Sequence, residues 1–152
     1  REIKVRRRWL NSEGKVLSDW HGEKEGSLEV SVGDLVWVEV MLQTRQANLD
    51  NIAVVDALPG GFTVENPRLA TSAVRLSGGE VLAKAARADR TEFLDDRVVL
   101  FASAKPVPRV FRYAIRAVAG GEFLVPGIQA SCMYDETLSS LDQSDVVKVI
   151  VQ

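Results

Sequence analysis

The chain has 152 residues, 46% hydrophobic and 26% charged, an ordinary balance that excludes disordered and fibrous classes and suffices for one buried core. Its 19 basic and 21 acidic residues nearly cancel, which removes any long-range attraction for nucleic acid or an anionic membrane surface. A single cysteine and a single histidine exclude an internal disulfide and any metal site of the Cys or Cys/His type.

The first element is the run from Ile3 to Leu10. Read as a strand, Lys4, Arg6 and Arg8 project from one side and Ile3, Val5 and Trp9 from the other, leaving only Arg7 out of phase. That is a solvated strand face rather than a binding patch. A turn follows at Asn11 to Gly14, and then a polar stretch, Asp19 to Gly26, that carries His21. A general base there would need a nucleophile or second titrating group at about 3 Å, and nothing local supplies one, so His21 reads as a loop histidine.

The clearest strand runs from Leu35 to Leu42, with Val36, Val38, Val40 and Leu42 on one side and Leu35, Trp37, Glu39 and Met41 on the other. A β-branched run at Ile52 to Val55 leads to the turn Pro59-Gly60-Gly61. The stretch from Pro67 to Ala88 breaks the strand rhythm and reads as an insertion or crossover. Within it, Val81, Leu82, Ala85 and Ala88 would share a helical face, which predicts a short helix from about Glu80 to Asp89. Asp95 and Asp96 precede a strand at Arg97 to Phe101. On a strand their side chains would point to opposite faces, poor geometry for a paired-carboxylate site, so a turn with a local ion pair to Arg97 is expected.

Phe111, Tyr113, Ile115 and Ala117 alternate with wetter neighbours, and Val147, Val149 and Val151 form the last alternating run. Between them, Gly127 to Glu136 ends an apolar strand with Cys132, Met133 and Tyr134 and then turns polar. Packing at the end of a sheet and a contact surface both explain that segment; Met and Tyr suit contact sites. Roughly seven or more short strands separated by Gly, Pro and Asn turns predict a mainly β fold, an antiparallel β-sandwich of the immunoglobulin/fibronectin-III kind, as one domain over residues 1–152. The sequence holds no phosphate-cradling glycine motif and no nucleophile elbow, which sets an enzyme aside. Apolar runs are too short to span a bilayer, no signal peptide opens the chain, and the lack of an initiating Met fits a fragment of something longer.

Five stretches, in order, resemble the last domain of bacterial alpha-2-macroglobulins: Arg6-Arg7-Arg8-Trp9-Leu10; Gly33-Asp34-Leu35-Val36; Val54 to Phe62 with Glu65-Asn66-Pro67; Thr91 to Arg97; and Phe123 to Pro126 with Met133-Tyr134-Asp135. Leu94 stands where that pattern has a basic residue. The resemblance implies a non-catalytic domain, free of cofactor, in a large envelope-anchored periplasmic protein that traps proteases. Its partners would be the thioester-type and other macroglobulin domains of the same polypeptide and, through the whole protein, target proteases. It further implies that Met133 and Tyr134 form an apolar lid shielding a thioester in a neighbouring domain. Cys132 is not the reactive cysteine by this pattern, because the C-x-E-Q signature is absent. The isolated domain is expected to be a monomer. The alternative is a structural module of another large surface protein, an adhesin or stalk.

Overall fold

The alternation of Leu35 to Leu42 continues to Thr44, and both faces are largely covered, Leu35, Trp37 and Glu39 being buried on one. Val36, Val38, Val40 and Leu42 are shut off from solvent completely or nearly so, each such side chain contributing about 1.5–3 kcal/mol by its removal from water. The computed structural model describes residues 3–18, 26–45, 47–65, 85–142 and 146–152. Among them the strands are β1 (Ile3–Asn11), β2 (Val16–Ser18), β3 (Gly26–Val30), β4 (Leu35–Thr44), β5 (Leu49–Ala57), β6 (Phe62–Val64), β7 (Arg90–Phe93), β8 (Arg97–Ala104), β9 (Arg109–Ala117), β10 (Gly121–Leu124), β11 (Ile128–Cys132), β12 (Asp135–Asp142) and β13 (Val146–Val151).

Two five-stranded sheets carry the fold, ordered β2-β1-β4-β9-β6 and β12-β11-β5-β8-β7, and every pairing within them is antiparallel. Their inner faces merge into one core. Val5, Trp9, Val38, Val40, Phe111 and Ile115 from the first sheet meet Ile52, Val54, Val98, Leu100 and Ile128 from the second. Trp9 meets Phe62 edge-on, with ring centroids 5.5 Å apart. The β-sandwich expectation therefore holds. A third sheet, β10-β13-β3, adds Val30, Val149 and Val151 to the same core, and its β13–β3 pair is parallel.

The expected helix is corrected. Among the described residues there is no helix, and Ala85 to Ala88, its second half, have no regular structure; Glu80 to Lys84 lie outside the described residues. The backbone there is used otherwise: Ala86 N donates to Val110 O at 2.7 Å and Asp89 N to Phe101 O at 2.8 Å. Alanine's helix preference is worth only tenths of a kcal/mol per residue, and bonds to the sheet edge outweigh it.

Two of the turns read from the sequence are tied to distant segments. Gly60 and Gly61 lie against the ring of Phe123, where a Cβ on Gly61 would sit 2.8 Å from Phe123 Cζ and 2.9 Å from the Ala119 carbonyl oxygen. The Pro59-Gly60-Gly61 turn thus forms the bed on which β10 rests. Gly33 takes a φ of 95° and donates its N–H to Ala117 O at 2.8 Å, so the turn into β4 is pinned to the end of β9.

Candidate functional site

At one end of the sandwich β11 and β12 are joined by the shortest of turns. Cys132 pairs with Asp135, so the turn consists of Met133 and Tyr134. Behind it the register shifts, Ser131 pairing with Ser139. The displaced residues are gathered by Asp135, whose Oδ1 accepts from Thr137 N at 3.0 Å and Thr137 Oγ1 at 2.6 Å. On the other side the tip is tied to the start of β5. Met133 N donates to Asn51 O at 2.8 Å, and the Cys132 thiol lies 3.7 Å from Asp50 O.

The side chains displayed there are large and apolar. Tyr134 is 82% exposed and Met133 45%, although each would ordinarily be at least partly covered. A thioether that adapts its shape beside an aromatic that couples apolar area to a hydroxyl is contact-surface chemistry. Ile128 and Ala130 of the same segment pack in the core and Cys132 lies against it, whereas Met133 and Tyr134 do not pack beneath the chain's own sheets.

The body that carries the tip contains a feature the sequence reading passed over. Arg7, the residue out of phase on β1, points into the core with Val5 and Trp9 and ion-pairs with Asp56 on β5 of the opposite sheet, both side chains buried. Its second terminal nitrogen donates to Pro126 O at 2.5 Å, just ahead of β11. Burial holds the Asp56 carboxyl above the usual carboxylate range, and the charge of Arg7 opposes that rise. The signal was available: Arg7 interrupts Ile3, Val5 and Trp9, Asp56 interrupts Ile52, Val54 and Leu58, and the two are of opposite sign.

On the outer face of the first sheet, buried Glu39 lies between two arginines. Its Oε1 accepts from Arg8 Nε at 3.0 Å, and its Oε2 from Arg112 Nε at 3.1 Å and Nη2 at 2.5 Å. Beside it Leu10, Leu35, Trp37 and Ala114 form a second apolar cluster. The basic run of β1 therefore divides. Lys4 is exposed and Arg6 partly so, as a solvated face requires, whereas Arg7 and Arg8 are structural ion-pair residues.

The remaining candidates fall as follows. Asp95 and Asp96 form a bend, with Arg97 Nε and Nη2 donating to Asp96 at 3.0 and 3.1 Å. These bonds hold the Asp96 carboxyl below its usual range. Cys132 is a free thiol at the base of the tip, Leu94 is exposed, and His21 lies outside the described residues.

The motifs of the resemblance hold one another in place. Arg7, Asp56 and Pro126 come from three of them and meet in the core; Gly60 and Gly61 from one cradle Phe123 from another.

Comparison with known proteins agrees with that reading. A family model described as the bacterial alpha-2-macroglobulin MG10 domain matches residues 3–136. Alpha-2-macroglobulin of Pasteurella multocida is 26% identical over 136 residues, 88% of this chain, and that of Escherichia coli K12 is 38% identical over 113 residues, 67% of this chain. The chain spans about 7% of the length of either relative. Among solved structures, native E. coli alpha-2-macroglobulin matches with a TM-score of 0.81 at 27% identity, covering 100% of this chain and 9% of that one. Salmonella alpha-2-macroglobulin reacted with methylamine matches with a TM-score of 0.78 at 28% identity, again over 100% of this chain and 9% of that one. With its sandwich, its interlocked motifs and a family model that matches most of its length, the chain belongs to the bacterial alpha-2-macroglobulin MG10 domain family.

Proposed function

We propose that this chain serves as a non-catalytic interaction domain of a periplasmic, envelope-anchored protease trap, and that its Met133–Tyr134 tip docks on a thioester-bearing domain of the same polypeptide. The single observation that carries the reading is the exposed Met-Tyr pair, displayed on a two-residue turn and tethered from behind to β5.

The chemistry of a thioester makes sense of such a tip. A thioester persists only while water and amines are kept from its carbonyl carbon. An apolar side chain and an aromatic, each worth about 1.5–3 kcal/mol when fully buried, exclude both without offering a nucleophile of their own. The seal is then released when proteolysis of the trap moves the two domains apart, exposing the thioester to a nucleophile on the protease. Nothing in this role asks the domain to move a proton or bind a cofactor. Family membership and the match to a Salmonella relative that was reacted with methylamine support the choice of an amine as probe.

The test is the rate at which methylamine inactivates a thioester-bearing parent protein carrying Tyr134→Ala. We expect faster inactivation in a domain that still folds, because the side chain is exposed in the free domain and contributes little to its stability. Equal rates in mutant and parent would remove the shielding role.

A further inference from the structure

The Met133–Tyr134 turn has a backbone problem, and a residue in another strand solves it. Two-residue hairpin turns normally adopt primed geometries, which need a positive φ at the first central position and so favour Gly, Asn or Asp there. Met133 and Tyr134 are neither small nor tolerant of that region. Among the described residues the non-glycine residue with a positive φ is Asn51, at 60°; Met133 and Tyr134 do not share it. Unprimed turns twist against their strands and splay them, and the pairing behind this turn is in fact displaced, passing from Cys132–Asp135 directly to Ser131–Ser139.

Asn51 sits at a matching irregularity in β5. Leu49 pairs with Ala104 and Ile52 with Ala102, so Asp50 and Asn51 together face the single Ser103, a β-bulge. Asparagine is among the few side-chain-bearing residues that enter the left-handed region readily. Asn51 is the position next after the Cys132–Ile52 pair of the β11–β5 ladder, and its carbonyl accepts the N–H of Met133 at 2.8 Å. The preceding carbonyl, of Asp50, faces the Cys132 thiol.

We propose that Asn51 is the positioning residue of the tip: its left-handed backbone supplies the carbonyl that fixes the Met133 amide, and thereby lets two large apolar side chains occupy a turn that glycine would otherwise require. The purpose of this arrangement rests on the shielding role given above; the geometry does not. The left-handed backbone is displaced from the turn to a bulge in β5, the strand hydrogen-bonded to β11, leaving the turn free to carry contact chemistry.

The experiment compares Asn51→Gly, Asn51→Ala and Asn51→Val with the native chain by hydrogen exchange at the Met133 amide. Glycine keeps the left-handed backbone available, alanine disfavours it and valine all but forbids it. Exchange at Met133 should match the native rate in Asn51→Gly, rise in Asn51→Ala and reach about tenfold in Asn51→Val, the order expected for loss of one hydrogen bond. Amides in β8 and β9 should keep their protection, which separates a freed tip from general unfolding. Should the valine variant not fold, the alanine and glycine variants decide the matter by themselves. Equal exchange in native, glycine and alanine chains overturns the proposal; so does a glycine variant as fast as alanine, since the Asn side chain rather than the backbone would then be responsible. Methylamine inactivation of the parent carrying Asn51→Ala provides the separate reading. If the exchange order holds and inactivation does not change, the positioning role stands and the shielding role falls.

Discussion

Arg7 and Asp56 meet between the two sheets with side chains only 4% and 3% exposed, and the pair is the one place where charge crosses the described apolar core. Removing one partner strands the other. Asp56→Ala should therefore destabilise the chain by about 3–5 kcal/mol. The double variant Arg7→Met with Asp56→Leu should recover most of that, because it buries no charge at all. Urea denaturation of the double variant and of Arg7→Met and Asp56→Leu alone forms the cycle; a double variant as unstable as Asp56→Ala would mean that the pair is not what holds the sheets in register.

The same pair sets a pH dependence whose sign is fixed. Burial raises the Asp56 carboxyl from its ordinary 3.8, against the pull of Arg7. A carboxyl with a folded pKa above its unfolded one takes up a proton on folding in the window between the two. Its contribution to stability is complete below the unfolded value and is lost as pH rises through the folded one. The difference in unfolding free energy between the native chain and Asp56→Asn cancels other groups and should fall across that window. A difference that grows with pH would show that the attraction of Arg7 outweighs the burial.

Gly61→Ala tests the bed beneath β10. The new methyl would meet both the Phe123 ring and the Ala119 carbonyl oxygen, and overpacking of this kind costs about 1–3 kcal/mol. Thermal unfolding should show the loss, and Phe123→Leu in the same chain should relieve part of it. Full relief is not expected, because the Ala119 contact is with backbone. An alanine at Gly61 without effect would place Phe123 elsewhere.

Glu39 gives an ordering. With Glu39→Ala, Arg8 and Arg112 are left facing each other across β4, one of them nearly buried, and the loss should be about 3 kcal/mol. Arg112→Ala should cost less, and Arg8→Ala less again, since Arg8 is the more exposed and Glu39 keeps its other partner. Denaturation midpoints in any other order would contradict the shared-carboxylate arrangement.

The strands were legible wherever one face was dry. Alternation placed β4 and β9 correctly, with Val36, Val38 and Val40 and with Phe111, Tyr113 and Ile115 facing inward, because burial on a pleated strand leaves a period of two in the sequence. The bend at Asp96 and its bond to Arg97 were legible for a related reason, since both partners are adjacent. Arg7 and Asp56 were legible singly, as interruptions of opposite sign in two apolar faces, but not as a pair, because charges far apart in sequence meet only when topology is known. Asn51 was equally hidden: its role lies in a backbone angle and a carbonyl direction, which side-chain pattern does not encode. The helix expected at Glu80 to Asp89 failed where alanine's local preference competed with sheet-edge hydrogen bonds that no local pattern reveals.

Pro126 lies 119 positions from Arg7 along the chain, and Asp56 lies 49, so the three can meet only after both sheets have been brought together. Loop closure over such spans comes late in assembly. Arg7 should accordingly govern how long the native state lasts more than how quickly it is reached: in stopped-flow measurements Arg7→Met should leave the refolding arm nearly in place and lift the unfolding arm. A residue that stood out in the sequence only as the one basic side chain out of phase becomes, on that timescale, the latch that closes last.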